Sequence, residues 1–278
     1  MKPRNTFILH SNHSTAHPLV ESFSHVCSEL RRLHAFLSND FCYHAYAMNL
    51  PKTFDAPPQI THIIYDNDGL LLDTEPFYTK AHQILAARYG KVFDWTVKSR
   101  MIGLRAEDSA HVIMEALQLP LSVTAYLEER KHLLEEMFPQ AEPMPGAVRL
   151  SLHLHQAGIP QAVATSSDRF YFDLKIARHQ EWFKIFQCVV LGDDPEIRQG
   201  KPAPDIFLLA AKRLQANPAH CLVFEDSPAG VEAARSAGMF VIAVPDPHME
   251  DGAYPRAHQI IRNLNDLDPA PWGFPPVK

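Results

Sequence analysis

An α/β fold, a doubly wound parallel sheet interrupted by one all-helical insertion, is what the sequence predicts, on three observations. From Thr61 onward, short apolar runs alternate with amphipathic helical stretches, the pattern of a parallel sheet with helices on both faces. One long interval, Glu75 to Phe138, carries helical periodicity and no convincing strand. Several apolar runs end in acids or hydroxyls, as "HIIYD", "PQAVATSS", "FQCVVLGDD" and "HCLVFEDS" do.

The elements follow in chain order. Residues 1–60 contain no Gly and hold six of the 16 His, which sets them apart as an N-terminal extension. Within it "LVESFSHVCSELRRLHAFL" (Leu19 to Leu37) has the spacing of one amphipathic helix, and "DAPPQI" reads as a linker. The histidine spacings do not repeat, so they make no metal motif. Lys2 and Arg4 precede the first acid, Glu21, which is the charge order of a transit peptide; a partly disordered extension is the reading preferred. "HIIYD" is the first strand. "FYTKAHQILAARYG" is a helix stopped by Gly90, "AEDSAHVIMEALQL" a second, and "SVTAYLEERKHLLEEMF" a third with Ser122 as N-cap. After "MPG", the helix "AVRLSLHLHQAG" ends at Gly158. The strand "PQAVATSS", the strand "FQCVVLGDD", the helix "PDIFLLAAKRLQA" and the strand "HCLVFEDS" follow. "PAGVEAARSAG" is a helix with Pro at its start and Gly at its end, and "MFVIAVPD" is a last strand. The expected division is a core from 61–75 and 140–278, with a helical insertion at 76–139.

Composition narrows the function classes. The chain is 46% hydrophobic and 21% charged, ordinary for a globular protein. A formal net charge of -6 gives no general reason to bind a nucleic acid polymer or an anionic membrane. No apolar run approaches the roughly 18 residues of a membrane span. Cys27, Cys42, Cys188 and Cys221 are sparse and form no C-x-x-C pair, which reads as free thiols in a reducing, cytoplasmic compartment.

In such sheets the ligand sits beyond the carboxyl ends of the strands. Three polar sets arrive at that edge: Asp66 and Asp68; Thr165, Ser166 and Ser167; Glu225 and Asp226. Each alone is an ordinary turn composition. Their convergence is not. "IIYDNDGLLLDTE" also approaches a calcium-binding loop, but its first ligand position would be Ile64 and a strand precedes it. "GDDPEIRQGKP" is no phosphate-binding P-loop, since Gly192 and Gly200 lie too far apart and Pro202 follows Lys201.

D-x-D-G after the first strand, Thr/Ser after a later one, "GKPAPD", and "EDS" after another, in this order and spacing, resemble the haloacid dehalogenase superfamily of phosphatases. The likeness runs from about Thr61 to the C-terminus. More narrowly, "GLLLDTE", "ATSS", "VLGDDPE", "GKPAPDIF", "CLVFEDSP" and "GFPP" resemble the pseudouridine-5'-phosphatase branch. The resemblance implies a Rossmann-like core with an inserted helical cap, and a Mg²⁺-dependent phosphomonoesterase acting on a small phosphorylated metabolite. It implies Asp66 as nucleophile, forming an aspartyl-phosphate that splits one hard step into two. Asp68 would be acid and then base, starting protonated. Lys201 would neutralise the transferring phosphoryl and hold Asp66; Thr165 would donate to a phosphate oxygen, with Ser166 and Ser167 beside it. Mg²⁺ would take Asp66, the Asp68 main-chain carbonyl and Asp226, with Glu225 as a weaker ligand or a supporting group. Arg105 is a candidate substrate contact in the cap. One departure is Asn67, where the family usually has an apolar residue; its side chain should point away from the phosphate.

The substrate implied is pseudouridine 5'-phosphate, with glycerol or sugar phosphates as the alternative, and the chain is read as a monomeric enzyme of nucleotide metabolism. A sugar-phosphate mutase would want His where Tyr78 stands, with His82 one helical turn on. A non-catalytic binding protein is the third class, which intact motifs argue against.

Overall fold

The computed structural model describes residues 59–101 and 106–276. The helix expected over 19–37, the extension's histidines, Cys27, Cys42 and Arg105 lie outside the described residues.

Six parallel strands form one sheet: β1 (His62–Tyr65), β2 (Gln161–Ala164), β3 (Cys188–Val190), β4 (Cys221–Glu225), β5 (Phe240–Ala243) and β6 (Gln259–Ile260), in the order β3-β2-β1-β4-β5-β6. This is the doubly wound order, and it reverses between β1 and β4, which opens a crevice beyond their carboxyl ends. The strands are apolar throughout because both faces are covered. Ile63 and Tyr65 face one core with Leu150 and Leu154 of α5 (Ala147–Gln156); Ile64 faces the other, with residues of α8 (Asp205–Arg213) and α9 (Pro228–Ser236).

Between β1 and α5 lies the helical insertion: α1 (Glu75–Arg88), α2 (Trp95–Lys98), α3 (Ala106–Leu117) and α4 (Val123–Met137). Ser122 caps α4 by accepting from the Ala125 N–H at 3.1 Å. The insertion has its own apolar cluster, including Leu85, Phe93, Ile113 and Tyr126. A second cluster, with Ala81, Leu134 and Phe138, packs on Tyr171 and Leu174 of α6 (Arg169–Lys175).

The sequence reading missed α2, α6, α7 (Gln180–Phe183) and β6. All are short, and three of them are held by caps or edge pairing rather than by periodicity. Asp94 and Asp168 accept from the N–H groups of Val97 and Tyr171, and β6 pairs with β5 through only two residues. Among the described residues no helix is long and apolar enough to cross a membrane.

Candidate active site

The crevice collects the carboxyl ends of β1, β2 and β4. Asp66 follows β1, Thr165 follows β2, and Glu225 closes β4 with Asp226 next; the first three are buried. Lys201, from the loop after β3, reaches across. Its Nζ donates to Asp66 Oδ1 and to Glu225 Oε1, each at 2.5 Å, and to the Ala164 carbonyl at 3.3 Å. The other Glu225 oxygen accepts from the N–H and hydroxyl of Ser227, at 2.7 and 2.9 Å. Glu225 therefore spends both oxygens within the protein, one of them orienting Lys201.

Two glycines allow this crowding. A Cβ on Gly69, whose φ is +77°, would lie 2.5 Å from Asp226 Oδ2, and one on Gly230 would lie 1.7 Å from Glu225 Oε1. Tyr254 donates to the Asp226 carbonyl at 2.6 Å and pins that turn.

Asp66, Glu225 and Asp226 present oxygens all within 4.8 Å of one another. Burial pushes the Asp66 carboxyl up to about 7, with Lys201 opposing and Glu225 and Asp68 adding to the rise. Burial, then Glu225 and Asp66, push Asp226 well above the ordinary carboxylate range. Clustered buried carboxylates with too little positive charge are the donor set that a hard divalent cation fits.

Asp68 differs from the sequence expectation. Its Oδ1 meets Lys175 Nζ at 2.5 Å and accepts from Thr74 at 2.8 Å; its Oδ2 accepts from Ser167 at 2.9 Å and Thr165 at 3.2 Å. Burial alone would raise this carboxyl, but Lys175 and the hydroxyls of Thr74 and Ser167 overcome it and hold it below the ordinary value. A protonated starting state is thus not what this geometry gives. Nor does the Thr165 hydroxyl stand free for a phosphate: it donates to Asp68 and accepts from the Ser167 N–H at 3.1 Å. Ser166 borders the cavity.

Lys175 was not anticipated. It is 1% exposed and closes α6, with Nζ donating also to Ser167 Oγ at 2.7 Å and Tyr78 Oη at 3.1 Å, and lying 4.5 Å from the Phe138 ring centre. The only sequence signal was one lysine among the apolar residues of "RFYFDLK". Asn67 is fully buried and absent from the cavity wall, and its Oδ1 has no hydrogen-bond partner.

Above the crevice lies a cavity of about 690 Å³, bounded by the strand ends and by Tyr78, His82, Phe93, Trp95, Lys98 and Arg130 of the helical insertion. His82 bonds the Tyr126 hydroxyl, and burial, aided by Arg130 and Lys98, lowers it to about 3, so it is neutral. Trp95 packs against His248 of the loop after β5 at 5.1 Å, closing one side.

Residues 60–238 match the model of a family described as haloacid dehalogenase-like hydrolase. The chain is 48% identical to (DL)-glycerol-3-phosphatase 2 of Arabidopsis thaliana, over 79% of this chain and 93% of that one. It is 43% identical to a protein of Drosophila melanogaster named "Probable pseudouridine-5'-phosphatase", over 78% of this chain and 95% of that one. A haloacid dehalogenase hydrolase of family IA, variant 3, from Entamoeba histolytica superposes with a TM-score of 0.66 at 26% identity, covering 77% of this chain and 97% of that one.

Proposed function

We propose, from the premise that this chain belongs to the haloacid dehalogenase-like hydrolases, that it is a Mg²⁺-dependent phosphomonoesterase in which Asp66 is the nucleophile. It is a phosphatase of small phosphorylated metabolites. The observation that carries the mechanistic reading is Lys201, shared between Asp66 and Glu225 where the strand order reverses, with Asp226 alongside. Phosphoryl transfer asks mainly for positioning and charge stabilisation, which this cluster provides.

In the first step an Asp66 oxygen bonds to phosphorus, the bond from phosphorus to the ester oxygen breaks, and Asp68 protonates the leaving oxygen. In the second, a water oxygen bonds to phosphorus, Asp68 takes its proton, and the bond to Asp66 breaks. Asp68 as held by Lys175 has the charge that the second step needs; the first needs it released and protonated. Asp66, Asp226 and the Asp68 main-chain carbonyl would hold Mg²⁺, whose charge lets a dianionic phosphate approach the acids.

For the substrate, the cavity's size and its aromatic wall support a nucleoside leaving group, and the Drosophila relative's name supports pseudouridine 5'-phosphate as that ester. Greater identity to the Arabidopsis relative supports glycerol 3-phosphate as the second reading. A cytoplasmic location fits Cys188 and Cys221, both free thiols. Phosphate release from pseudouridine 5'-phosphate, uridine 5'-phosphate and glycerol 3-phosphate, each with Mg²⁺ and with EDTA, tests the whole reading. A preference for the C-linked nucleotide supports the first substrate and a preference for glycerol 3-phosphate the second. Release undiminished by EDTA would overturn the metal requirement.

A further inference from the structure

We infer that Arg130 is a specificity-determining residue: its guanidinium binds an acceptor oxygen on the leaving group. The site then selects phosphomonoesters whose alcohol carries hydroxyl or carbonyl oxygens over those with a plain hydrocarbon alcohol. This deepens the phosphatase reading above and rests on it.

Three cations border the cavity among the described residues. Lys201 is engaged by Asp66 and Glu225. Lys98 lies 3.4 Å from Glu75 Oε2 and donates to Thr79 Oγ1 at 2.9 Å. Arg130 alone has no acid within ion-pair distance among the described residues, although its neighbours on α4, Glu129 and Lys131, both have partners. Its Nε is buried and makes no hydrogen bond. A buried donor left unmet costs free energy, and native proteins rarely leave one without a purpose.

The surroundings sharpen the requirement. His82 beside it is neutral and already bonded to Tyr126; Leu134, Phe93 and Met101 add apolar surface to that wall, which also carries Thr79, Lys98 and Ser109. In such a medium a hydrogen bond from a guanidinium is strong, and its planar fork is arranged before the ligand arrives. Asp66 and Lys201 lie on the core side of the same cavity and Arg130 on the insertion side. A phosphoryl group on the acid cluster therefore leaves its alcohol facing a charged donor that lacks an acceptor. Polyol and nucleoside esters supply one; an alkyl ester does not.

The test compares kcat/KM of the wild type, Arg130→Met and Arg130→Lys on glycerol 3-phosphate, pseudouridine 5'-phosphate and n-butyl phosphate, with Mg²⁺ saturating. Arg130→Met is expected to lose at least tenfold on whichever oxygen-bearing ester the wild type prefers, and to stay within twofold on n-butyl phosphate. Arg130→Lys, which keeps the charge without the fork, should fall between; it also serves if the Met variant does not fold. An equal loss on all three esters, or no loss on any, would overturn the role of Arg130 and leave the phosphatase standing. A wild type that releases phosphate from none of them would overturn both.

Discussion

The sheet edge and the helical insertion border one cavity with opposite kinds of surface. At the edge, Asp66, Asp68 and Glu225 are bound by Lys201 and Lys175 and by hydroxyls a few ångströms away. Across from it, aromatic rings, a neutral histidine and an arginine whose buried Nε has no hydrogen-bond partner line the cavity. A surface whose polar groups already satisfy one another is preorganised for a fixed chemistry, whereas one with an unmet donor awaits a variable partner. The difference teaches where each property should respond to mutation: rate at the edge, selectivity at the insertion.

The largest expected effect breaks the edge. Asp66→Asn should lower kcat by roughly 10⁴-fold or more, because an amide forms no acyl-phosphate. The variant should keep the wild-type circular dichroism spectrum. Near-normal turnover would show that the nucleophile lies elsewhere. Next comes Lys175→Met. It leaves Asp68 buried without its cation, and removing one partner of such a pair is strongly destabilising. In the folded fraction kcat should drop roughly 10²-fold, the scale of an acid–base role, with KM changed only a few-fold. If KM carries the loss instead, Lys175 belongs with the selective surface and the comparison fails at that residue.

The edge was legible in the sequence because strand ends are fixed by local pattern. Asp66, Thr165 and Glu225 each stand immediately after or at the end of an apolar run, and parallel pairing then brings the ends together whatever the loops do. Lys201 was legible through "GKPAPD" and its resemblance. Lys175 was not, since its partner Asp68 lies over a hundred residues earlier and its helix is short. The insertion's wall was equally closed to reading: Arg130 sits in "LEERKHLLEE" among six other charged or titrating side chains, and its place on the cavity wall comes with the packing of α4 on α1. The contacts that hold the Asp68 carboxyl low were closed to reading for the same reason, because Lys175 and Ser167 come from about a hundred residues away.

A smaller effect lies wholly within the insertion. His82 has a folded value near 3 against an ordinary 6.5, lowered by burial. Between those values the unfolded chain binds a proton that the folded one refuses, so stability is fully present above about 6.5 and falls as pH drops toward 3. The full loss is on the order of 5 kcal/mol, about 3 of it by pH 4. Thermal melts from pH 7.5 to 4 should show it as a falling Tm, and His82→Gln should flatten that slope relative to wild type while leaving phosphate release within a few-fold. Identical slopes for the two proteins would mean that the acid sensitivity comes from the carboxylate edge.

The smallest effect returns to the edge and asks whether every polar group there serves the chemistry. Asn67 stands between Asp66 and Asp68 but is absent from the cavity wall, fully buried, with an unpartnered Oδ1 and one long hydrogen bond from Nδ2 to Asp68 at 3.4 Å. A buried carbonyl without a donor costs about 1–3 kcal/mol, whereas an apolar side chain there has nothing to desolvate. Leu is bulkier than Asn, and overpacking takes back part of that gain. Asn67→Leu is therefore expected to raise the unfolding free energy by about 1 kcal/mol in urea titrations, with kcat/KM within twofold. Its main-chain carbonyl, which accepts from the N–H groups of Leu71 and Leu72, survives the change, so the turn that carries Asp68 is kept. A large loss of turnover in a stable variant would show that the Asn67 amide helps to orient Asp68, and that even this hidden residue belongs to the catalytic surface.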